Sequence, residues 1–423
     1  MIGRSLFPVS GRRPVLASVA ELARSGQFLI GVGAMAVAPV VGGVLAYRGT
    51  GAIGRGELAT YVVSATIAAL IATRGVDAAL LSRTVVTTPD AELWPLVNRR
   101  LVKAAAIEAP AAALVGSLLV GRFDAMGAIA AWLLTLAVLD YLLSKALAVR
   151  VGATATVFRI DVSIAATSVL LSSLVYATGG PATAYAWAMT APIVFVMTIA
   201  RVAQPERRPL RFVSGSAGVA DTYRRALPLF LSKGLLVTAF RLDRLILVWL
   251  AGLSVAGIYA AAIPLAELVG LAPLHLAQIS TVDLTAHPER PWWRPVPALL
   301  GMAISGALTM TVLVGASPIL ALAYGDSSSE LVRTVRILAI ASFVSGLWRL
   351  VDAELVARGK SRLTVPPAGS AAVLVVVVTV AFATRWQSTA AAVASLVGYT
   401  CALAVSIALS RRERSRVKER ACL

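Results

Sequence analysis

The sequence predicts an all-α polytopic membrane protein with about twelve transmembrane helices. Three observations carry this prediction. The 423 residues are 58% hydrophobic and only 14% charged, whereas soluble domains carry about 25% charged residues. Apolar runs near 20 residues recur along the chain, and this length crosses a bilayer as a helix rather than as a shorter, alternating strand. Lys and Arg residues gather in every second connection between these runs, as they do in helical membrane proteins.

The apolar segments follow one another with short connections, none of which is long enough for a folded extramembrane domain. Twelve spans of about 20 residues fit a chain of this length. The predicted segments are 28–47, 58–81, 101–120, 125–149, 157–178, 182–203, 227–251, 255–280, 297–323, 332–357, 364–384 and 388–409.

The longest basic connection divides these segments into two sets of six. The sequence therefore predicts five regions along the chain. They are a cytoplasmic N-terminal segment (1–27), an N-terminal six-helix bundle (28–203), a basic cytoplasmic linker (204–226), a C-terminal six-helix bundle (227–409) and a basic cytoplasmic tail (410–423).

The distribution of Lys and Arg also predicts the orientation. If the N-terminus is cytoplasmic, the inner connections and tails hold 28 of these residues, whereas the outer connections hold four, Arg48, Arg55, Arg122 and Arg385. This bias favours cytoplasmic N- and C-termini and an even number of spans. The net charge of +18 then reflects basic inner loops beside anionic lipid headgroups, and we expect no nucleic-acid partner.

Motifs for chemistry on a bound substrate are absent from the sequence. The Gly-Lys-Ser string at 359–361 is not a phosphate-binding loop, because Glu354 occupies the position of its first glycine. His275 and His287 have no cysteine or carboxylate nearby at metal-ligand spacing. We therefore expect no enzymatic activity, no cofactor and no metal site. Movement of a substance across the membrane is the function class that remains.

Ionisable residues inside the predicted spans mark the candidate functional site, because each costs about 2.5–3.5 kcal/mol to insert. The seventh segment carries Lys233, Arg241, Asp243 and Arg244. Lys233 and Arg244 lie about 20° apart around the helix and about 16 Å apart along it, so they share one stripe. One carboxylate cannot neutralise three cations, and the stripe is therefore predicted to line an aqueous cavity.

Arg74 and Arg349 complete the predicted cationic cavity. Each has a carboxylate three residues further on, Asp77 and Asp352, so that local ion pairs are an alternative. Under the same alternative, Glu108, Asp140 and Glu267 of other segments would neutralise the seventh segment. The acidic candidates for a coupling-ion site or an ion pair are Asp77, Glu108, Asp140, Asp243 and Asp352.

Several short motifs occur in a recognisable order. The first half contains Gly54-Arg-Gly-Glu-Leu-Ala-Thr-Tyr61 and Arg74-Gly-Val-Asp77. The second half contains Ala-Leu-Pro at 226–228, Asp-Arg-Leu-Ile-Leu-Val-Trp-Leu-Ala-Gly at 243–252, Val-Ala-Gly-Ile-Tyr-Ala-Ala-Ala at 255–262, Ala-Tyr-Gly at 323–325, Val-Arg-Ile-Leu-Ala at 335–339 and Ala-Arg-Gly at 357–359. This series resembles the polysaccharide-biosynthesis, O-antigen-type oligosaccharide flippases of the multidrug/oligosaccharidyl-lipid/polysaccharide exporter superfamily.

The resemblance implies two six-helix bundles around a central cavity, alternating access and a bacterial plasma (inner) membrane location. It implies an undecaprenyl-diphosphate-linked glycan as cargo, contact with membrane lipids, and a polysaccharide polymerase and glycosyltransferases as partners. Arginine suits this cargo because its fork makes two charge-assisted bonds to a diphosphate. Two alternatives stay open: a cation-coupled multidrug exporter of the same superfamily, and a non-transporting scaffold of a glycan-assembly complex.

Overall fold

The computed structural model describes residues 15–73, 101–121, 124–150, 154–203, 217–286 and 291–421. In these residues the regular structure is helical, and a short helical segment at 101–106 precedes α2. The helices are α1 (Val15–Thr73), α2 (Glu108–Val120), α3 (Ala125–Arg150), α4 (Thr154–Ala177), α5 (Ala182–Ala203), α6 (Ala217–Ala251), α7 (Leu253–Ala286), α8 (Val296–Tyr324), α9 (Ser329–Ala357) and α10 (Val365–Ala421), with a 3₁₀ turn at Ser361–Thr364.

Two of the helical stretches are long enough to cross a bilayer twice. α1 has 59 residues and α10 has 57, so the helical parts of each add up to more than 80 Å at about 1.5 Å per residue. α1 breaks at Gly51 (φ 69°, ψ −171°), a conformation that suits glycine because it has no Cβ. α10 breaks at Gln387 (φ 51°, ψ −130°). Ser388, directly after this break, donates its backbone N–H and its hydroxyl to the Glu330 carboxylate at 3.3 and 2.6 Å.

The number of spans agrees with the sequence. Among the described residues, nine helices are long and apolar enough to span a membrane. Two of them, Gly33–Thr73 and Ser361–Ser415, contain the breaks and supply two spans each. α6, which is too charged to be counted among the nine, supplies the twelfth. The prediction of an all-α polytopic protein is confirmed, while the boundaries of the five predicted regions stay predictions.

The helices pack as two bundles, α1–α5 and α6–α10. In the first bundle, Tyr61 and Ala65 of α1 pack against Ala131 and Leu134 of α3. In the second, the buried Trp348 of α9 joins a core built largely from alanines of α6, α9 and α10. Small residues let helices approach closely inside a membrane, where lipid is as apolar as a leucine side chain. The most extensive contact between the two bundles joins α1 to α7.

Large apolar side chains cover the outside of both bundles. Because polar surface would be costly against lipid, this exposure fits a protein surrounded by hydrocarbon. Exposed fractions from 63% to 81% occur at Leu118, Leu170, Phe195, Trp249, Val314 and Leu322.

The two ends of the molecule differ. At one end, here called the Gly51 end, successive helices turn tightly, and each turn contains a residue with positive φ. These residues are Gly51, Gly121, Gly179, Gly252, Gly325 and Gln387. At the opposite end, here called the Arg358 end, α3, α5, α7 and α9 end and α4, α6, α8 and α10 begin. In the predicted orientation the Gly51 end faces the outside of the cell.

The two bundles meet closely at the Gly51 end. A Cβ on Gly56 of α1 would overlap the Leu253 carbonyl of α7, and a Cβ on Gly257 of α7 would overlap the Ala52 carbonyl of α1. Leu253 lies four residues before Gly257, and Ala52 lies four residues before Gly56, so the two contacts are reciprocal. Glycine, whose side chain is a hydrogen atom, is therefore required at both positions.

Polar contacts reinforce this closure. The Tyr47 hydroxyl donates to Asp326 at 2.8 Å, and its ring packs edge-on against Tyr324 with centroids 5.2 Å apart. The Arg48 guanidinium donates to the Leu322 carbonyl at 2.5 Å. The bundles are therefore closed against each other at the Gly51 end.

At the Arg358 end, the C-terminal part of α10 is anchored to the second bundle. The buried Glu354 carboxylate lies 2.7 Å from Arg358 and 3.3 Å from Arg414. It also accepts a hydrogen bond from the Ser410 hydroxyl at 2.9 Å. The Arg414 guanidinium stacks over the Trp293 ring, 4.9 Å from its centroid. These contacts hold the basic tail against the membrane-spanning helices.

Candidate functional site

A cavity of about 330 Å³ lies between the two bundles. α1, α3 and α5 line it from the first bundle, and α6 and α7 line it from the second. Most of its lining side chains are apolar, such as Met35, Leu134 and Ile193. Its charged lining residues within the described chain are Arg55, Arg241, Arg244 and Glu267. The cavity therefore carries a net positive charge.

Two of the predicted cations of α6 reach this cavity. Arg241 and Arg244, three residues apart, both line it. Arg244 is 8% exposed and lies 3.1 Å from the Glu267 carboxylate of α7. Glu267, one of the predicted neutralisers of the stripe, thus forms an ion pair with Arg244. The side chain of Lys233 lies outside the described residues.

Arg55 is the cavity residue that the sequence analysis missed. The prediction that Arg55 belongs to an outer connection is wrong. The helix α1 resumes directly after the break at Gly51, and Arg55 lies within this helix, inside the protein. Arg55 is 8% exposed, and its guanidinium donates to the Ala260 carbonyl of α7 at 3.0 Å. The adjacent Gly56 contacts α7. A glycine at this position was the available sequence signal that this part of α1 packs between the bundles.

Asp243 lies in a smaller pocket of the second bundle, of about 30 Å³. Its carboxylate is buried and accepts hydrogen bonds from the Tyr259 hydroxyl and from the Arg244 backbone N–H. Tyr259, Ser395 and Tyr399 line the same pocket. Arg244 and Glu267 line both this pocket and the central cavity, so their ion pair borders both spaces.

Arg349 and Asp352 lie inside the second bundle and are not among the described residues that line the central cavity. The Arg349 guanidinium packs over two aromatic rings, 5.1 Å from the Phe240 centroid and 5.8 Å from the Trp348 centroid. Asp352 accepts a hydrogen bond from the Ser406 hydroxyl at 2.8 Å. Arg349 thus packs against aromatic side chains of α6 and α9 and does not line the central cavity beside Arg241 and Arg244.

The acids of the first bundle take part in internal contacts. Asp140 of α3 accepts two hydrogen bonds from the Arg201 guanidinium of α5, at 2.8 and 2.5 Å. Asp161, which the sequence analysis did not single out, lies 2.8 Å from the Lys145 ammonium. Glu108 lies in the first turn of α2. Arg74 and Asp77 lie outside the described residues.

Among the described residues, side chains able to hold a metal do not converge. In the described part of the chain, no group of three or more His, Cys, Asp or Glu side chains comes together. What the central cavity offers instead is three guanidinium groups in a space that is otherwise mainly apolar. Such groups bind an anion through charge-assisted hydrogen bonds, which are stronger than neutral ones.

Solved structures share this arrangement of two helical bundles. The chain is similar to an inward-facing conformation of a multidrug resistance MATE family transporter of the MOP superfamily, with a TM-score of 0.71 and 16% identity over 91% of this chain and 96% of that chain. It is also similar to the lipid II flippase MurJ in an inward closed conformation, with a TM-score of 0.68 and 9% identity over 91% of this chain and 87% of that chain.

An outward-facing conformation of a multidrug resistance MATE family transporter gives a lower TM-score of 0.58, with 14% identity over 94% of this chain and 96% of that chain. No protein-family model matches the sequence, and no curated protein matches it. At these identities the likeness establishes the fold alone. The narrower O-antigen-type flippase family stays a prediction.

Proposed function

We propose that this protein is a flippase that moves a polyprenyl-diphosphate-linked oligosaccharide across the membrane by alternating access. The observation that carries the proposal is the charge of the central cavity, where three arginines face one glutamate. Glu267 lies beside Arg244, but one carboxylate cannot neutralise three guanidinium groups, so the cavity keeps positive charge for an anion.

A diphosphate is the anion that fits this arrangement. Its charge must leave water to pass the hydrocarbon region, at a cost that only preorganised partners offset. Each guanidinium offers two parallel donors to phosphate oxygens. The polyprenyl tail can remain in lipid between the bundles while the headgroup occupies the cavity. An inside-negative membrane potential favours outward movement of an anion by about 2.3 kcal/mol per charge per 100 mV.

The conformation supports a transport cycle of the expected polarity. If the N-terminus is cytoplasmic, the closed Gly51 end faces outside and the cavity belongs to the inward-facing state. The higher similarity to inward-facing than to outward-facing relatives agrees with this assignment. In that state the cavity would receive its cargo from the cytoplasmic leaflet of a bacterial inner membrane.

Asp243 is the acidic candidate whose surroundings best suit a coupling ion. Asp140 is already paired with Arg201, and Asp352 is not among the residues that line either space. The pocket around Asp243 adds two tyrosine hydroxyls and a serine hydroxyl, which are oxygen ligands of the kind that bind a sodium ion or relay a proton. The ion pair of Arg244 and Glu267 connects this pocket to the cargo cavity.

A multidrug exporter of the same superfamily is the second candidate, since the similarity to a MATE transporter is as strong as that to MurJ. The apolar part of the cavity and the half-exposed Glu267 carboxylate would serve a cationic amphiphile. The excess of arginines opposes a cationic cargo, and for this reason the flippase is preferred.

The test is a transport assay in proteoliposomes that contain a fluorescent polyprenyl-diphosphate disaccharide, with a membrane-impermeant quencher reporting its leaflet. Arg241→Gln and Arg244→Gln should each slow translocation by about tenfold or more, since a hydrogen bond to a charged group contributes about 1.5–3 kcal/mol. Arg333→Gln, at an exposed arginine of α9, is the matched control and should retain the wild-type rate. Unchanged translocation in both cavity variants, or efflux of ethidium without movement of the glycolipid, would overturn the proposal.

A further inference from the structure

Arg55 joins the cavity to the closure at the Gly51 end. Its side chain lines the central cavity together with Arg241 and Arg244. The same guanidinium donates from the first bundle to the Ala260 carbonyl of α7 in the second bundle. Gly43 leaves room for it, because a Cβ on Gly43 would come within 3.0 Å of the guanidinium. One side chain thus belongs both to the candidate binding site and to the contact between the bundles.

The sequence explains why the Ala260 carbonyl accepts this bond. In an α-helix it would accept the backbone N–H four residues later, but that residue is Pro264, which has no N–H. The carbonyl is therefore left without a partner inside its own helix, and a buried carbonyl needs one. Arg55 supplies the donor from the opposite bundle.

The cavity side of Arg55 is free to respond to a ligand. Its side chain lines the cavity, and its Nε makes no hydrogen bond with the described residues, so the guanidinium has donors that the Ala260 carbonyl does not use. An anion that enters between Arg55, Arg241 and Arg244 offers charged oxygens, which are stronger acceptors than a peptide carbonyl. Binding of the anion therefore competes with Ala260 for the guanidinium.

We propose that Arg55 is a cargo-sensitive latch. In the empty cavity it holds the Gly51 end closed through the carbonyl that Pro264 leaves free, and an anion bound in the cavity releases it. The identity of the anion as a diphosphate rests on the proposed function, whereas the latch between Arg55 and Ala260 does not. Because the latch bond exists only in the closed state, its loss shifts the population toward the state that is open at the Gly51 end.

The latch is tested by measuring the separation of the bundles at the Gly51 end. Spin labels at the exposed residues Ala177 and Ser327, one on each bundle, report the distance by double electron–electron resonance in a background without native cysteines. Pro264→Ala gives the Ala260 carbonyl a donor within α7, so the long-distance population should rise about fivefold relative to the short-distance one without any ligand. Arg55→Met should produce the same rise.

Pro273→Ala is the matched control in the same helix. Pro273 frees the Val269 carbonyl, but this carbonyl accepts the Ser305 hydroxyl at 2.8 Å within the second bundle. The control should leave the distance distribution of the wild type unchanged. If Pro264→Ala and Arg55→Met also leave it unchanged, Arg55 is not a latch.

Farnesyl diphosphate is the probe for release, and farnesol, which lacks the phosphates, is its control. In the wild type, farnesyl diphosphate should lengthen the distance and farnesol should not. If farnesyl diphosphate binds by calorimetry without changing the distance, release by the anion is wrong while the proposed function stands. If it does not bind, the proposed function fails, and Pro264→Ala still decides whether Arg55 holds the Gly51 end closed.

Discussion

The reciprocal glycine contact at the Gly51 end predicts the effect of a single methyl group. In Gly257→Ala, the new Cβ would overlap the Ala52 carbonyl of α1. This neighbour is backbone rather than a flexible side chain, so it cannot rotate away. The methyl group has no such neighbour once the bundles separate at this end.

The size of the effect follows from this difference between the two states. Alanine stabilises a helix by about 1 kcal/mol relative to glycine, but Gly257 is helical in both states, so this gain cancels. The steric overlap exists only in the closed state, and overpacking of this kind costs about 1–3 kcal/mol. The ratio of open to closed molecules should therefore rise by about 5- to 150-fold.

The label pair at Ala177 and Ser327 measures this ratio directly. Gly234→Ala is the matched control, since a Cβ on Gly234 meets nothing within 4 Å, and it should leave the ratio at the wild-type value. A closed population that is equally large in Gly257→Ala and in the wild type would refute the argument that this glycine permits closure.

Two further predictions concern the interiors of the bundles. Arg201→Gln leaves the Asp140 carboxylate without its guanidinium partner, so the free energy of unfolding should fall by about 3 kcal/mol. Thermal unfolding in detergent measures this, and Asp140→Asn in the same chain should recover part of the loss; equal stability of wild type and Arg201→Gln would count against the pair. Glu354→Gln removes the charge that holds Arg358 and Arg414, so amide hydrogen exchange in residues 410–421 should accelerate, and unchanged protection there would contradict the anchoring role.

Hydropathy and charge were sufficient to predict most of the fold. Twelve spans and two bundles followed from local composition, because a membrane requires each span to be apolar and makes each buried charge costly. The same argument identified Arg241 and Arg244, since three cations on one helix cannot pair with one carboxylate of that helix.

The remaining features depend on contacts between distant residues. Hydropathy places Arg55 in a connection, because it does not reveal that helix α1 resumes immediately after the break at Gly51. The partner of Asp140 lies 61 residues away, and the aromatic surroundings of Arg349 come from α6 and α9 together. Pairings of this kind are set by how the helices pack, and they cannot be predicted from the spacing of residues along a single sequence.

The anionic character of the cargo is tested most directly by binding to the purified protein. Isothermal titration calorimetry should show that farnesyl diphosphate binds more tightly than tetraphenylphosphonium, and that Arg241→Gln combined with Arg244→Gln weakens the binding of farnesyl diphosphate by at least about tenfold. Tighter binding of tetraphenylphosphonium, with the affinity for farnesyl diphosphate unchanged by the double substitution, would contradict the account.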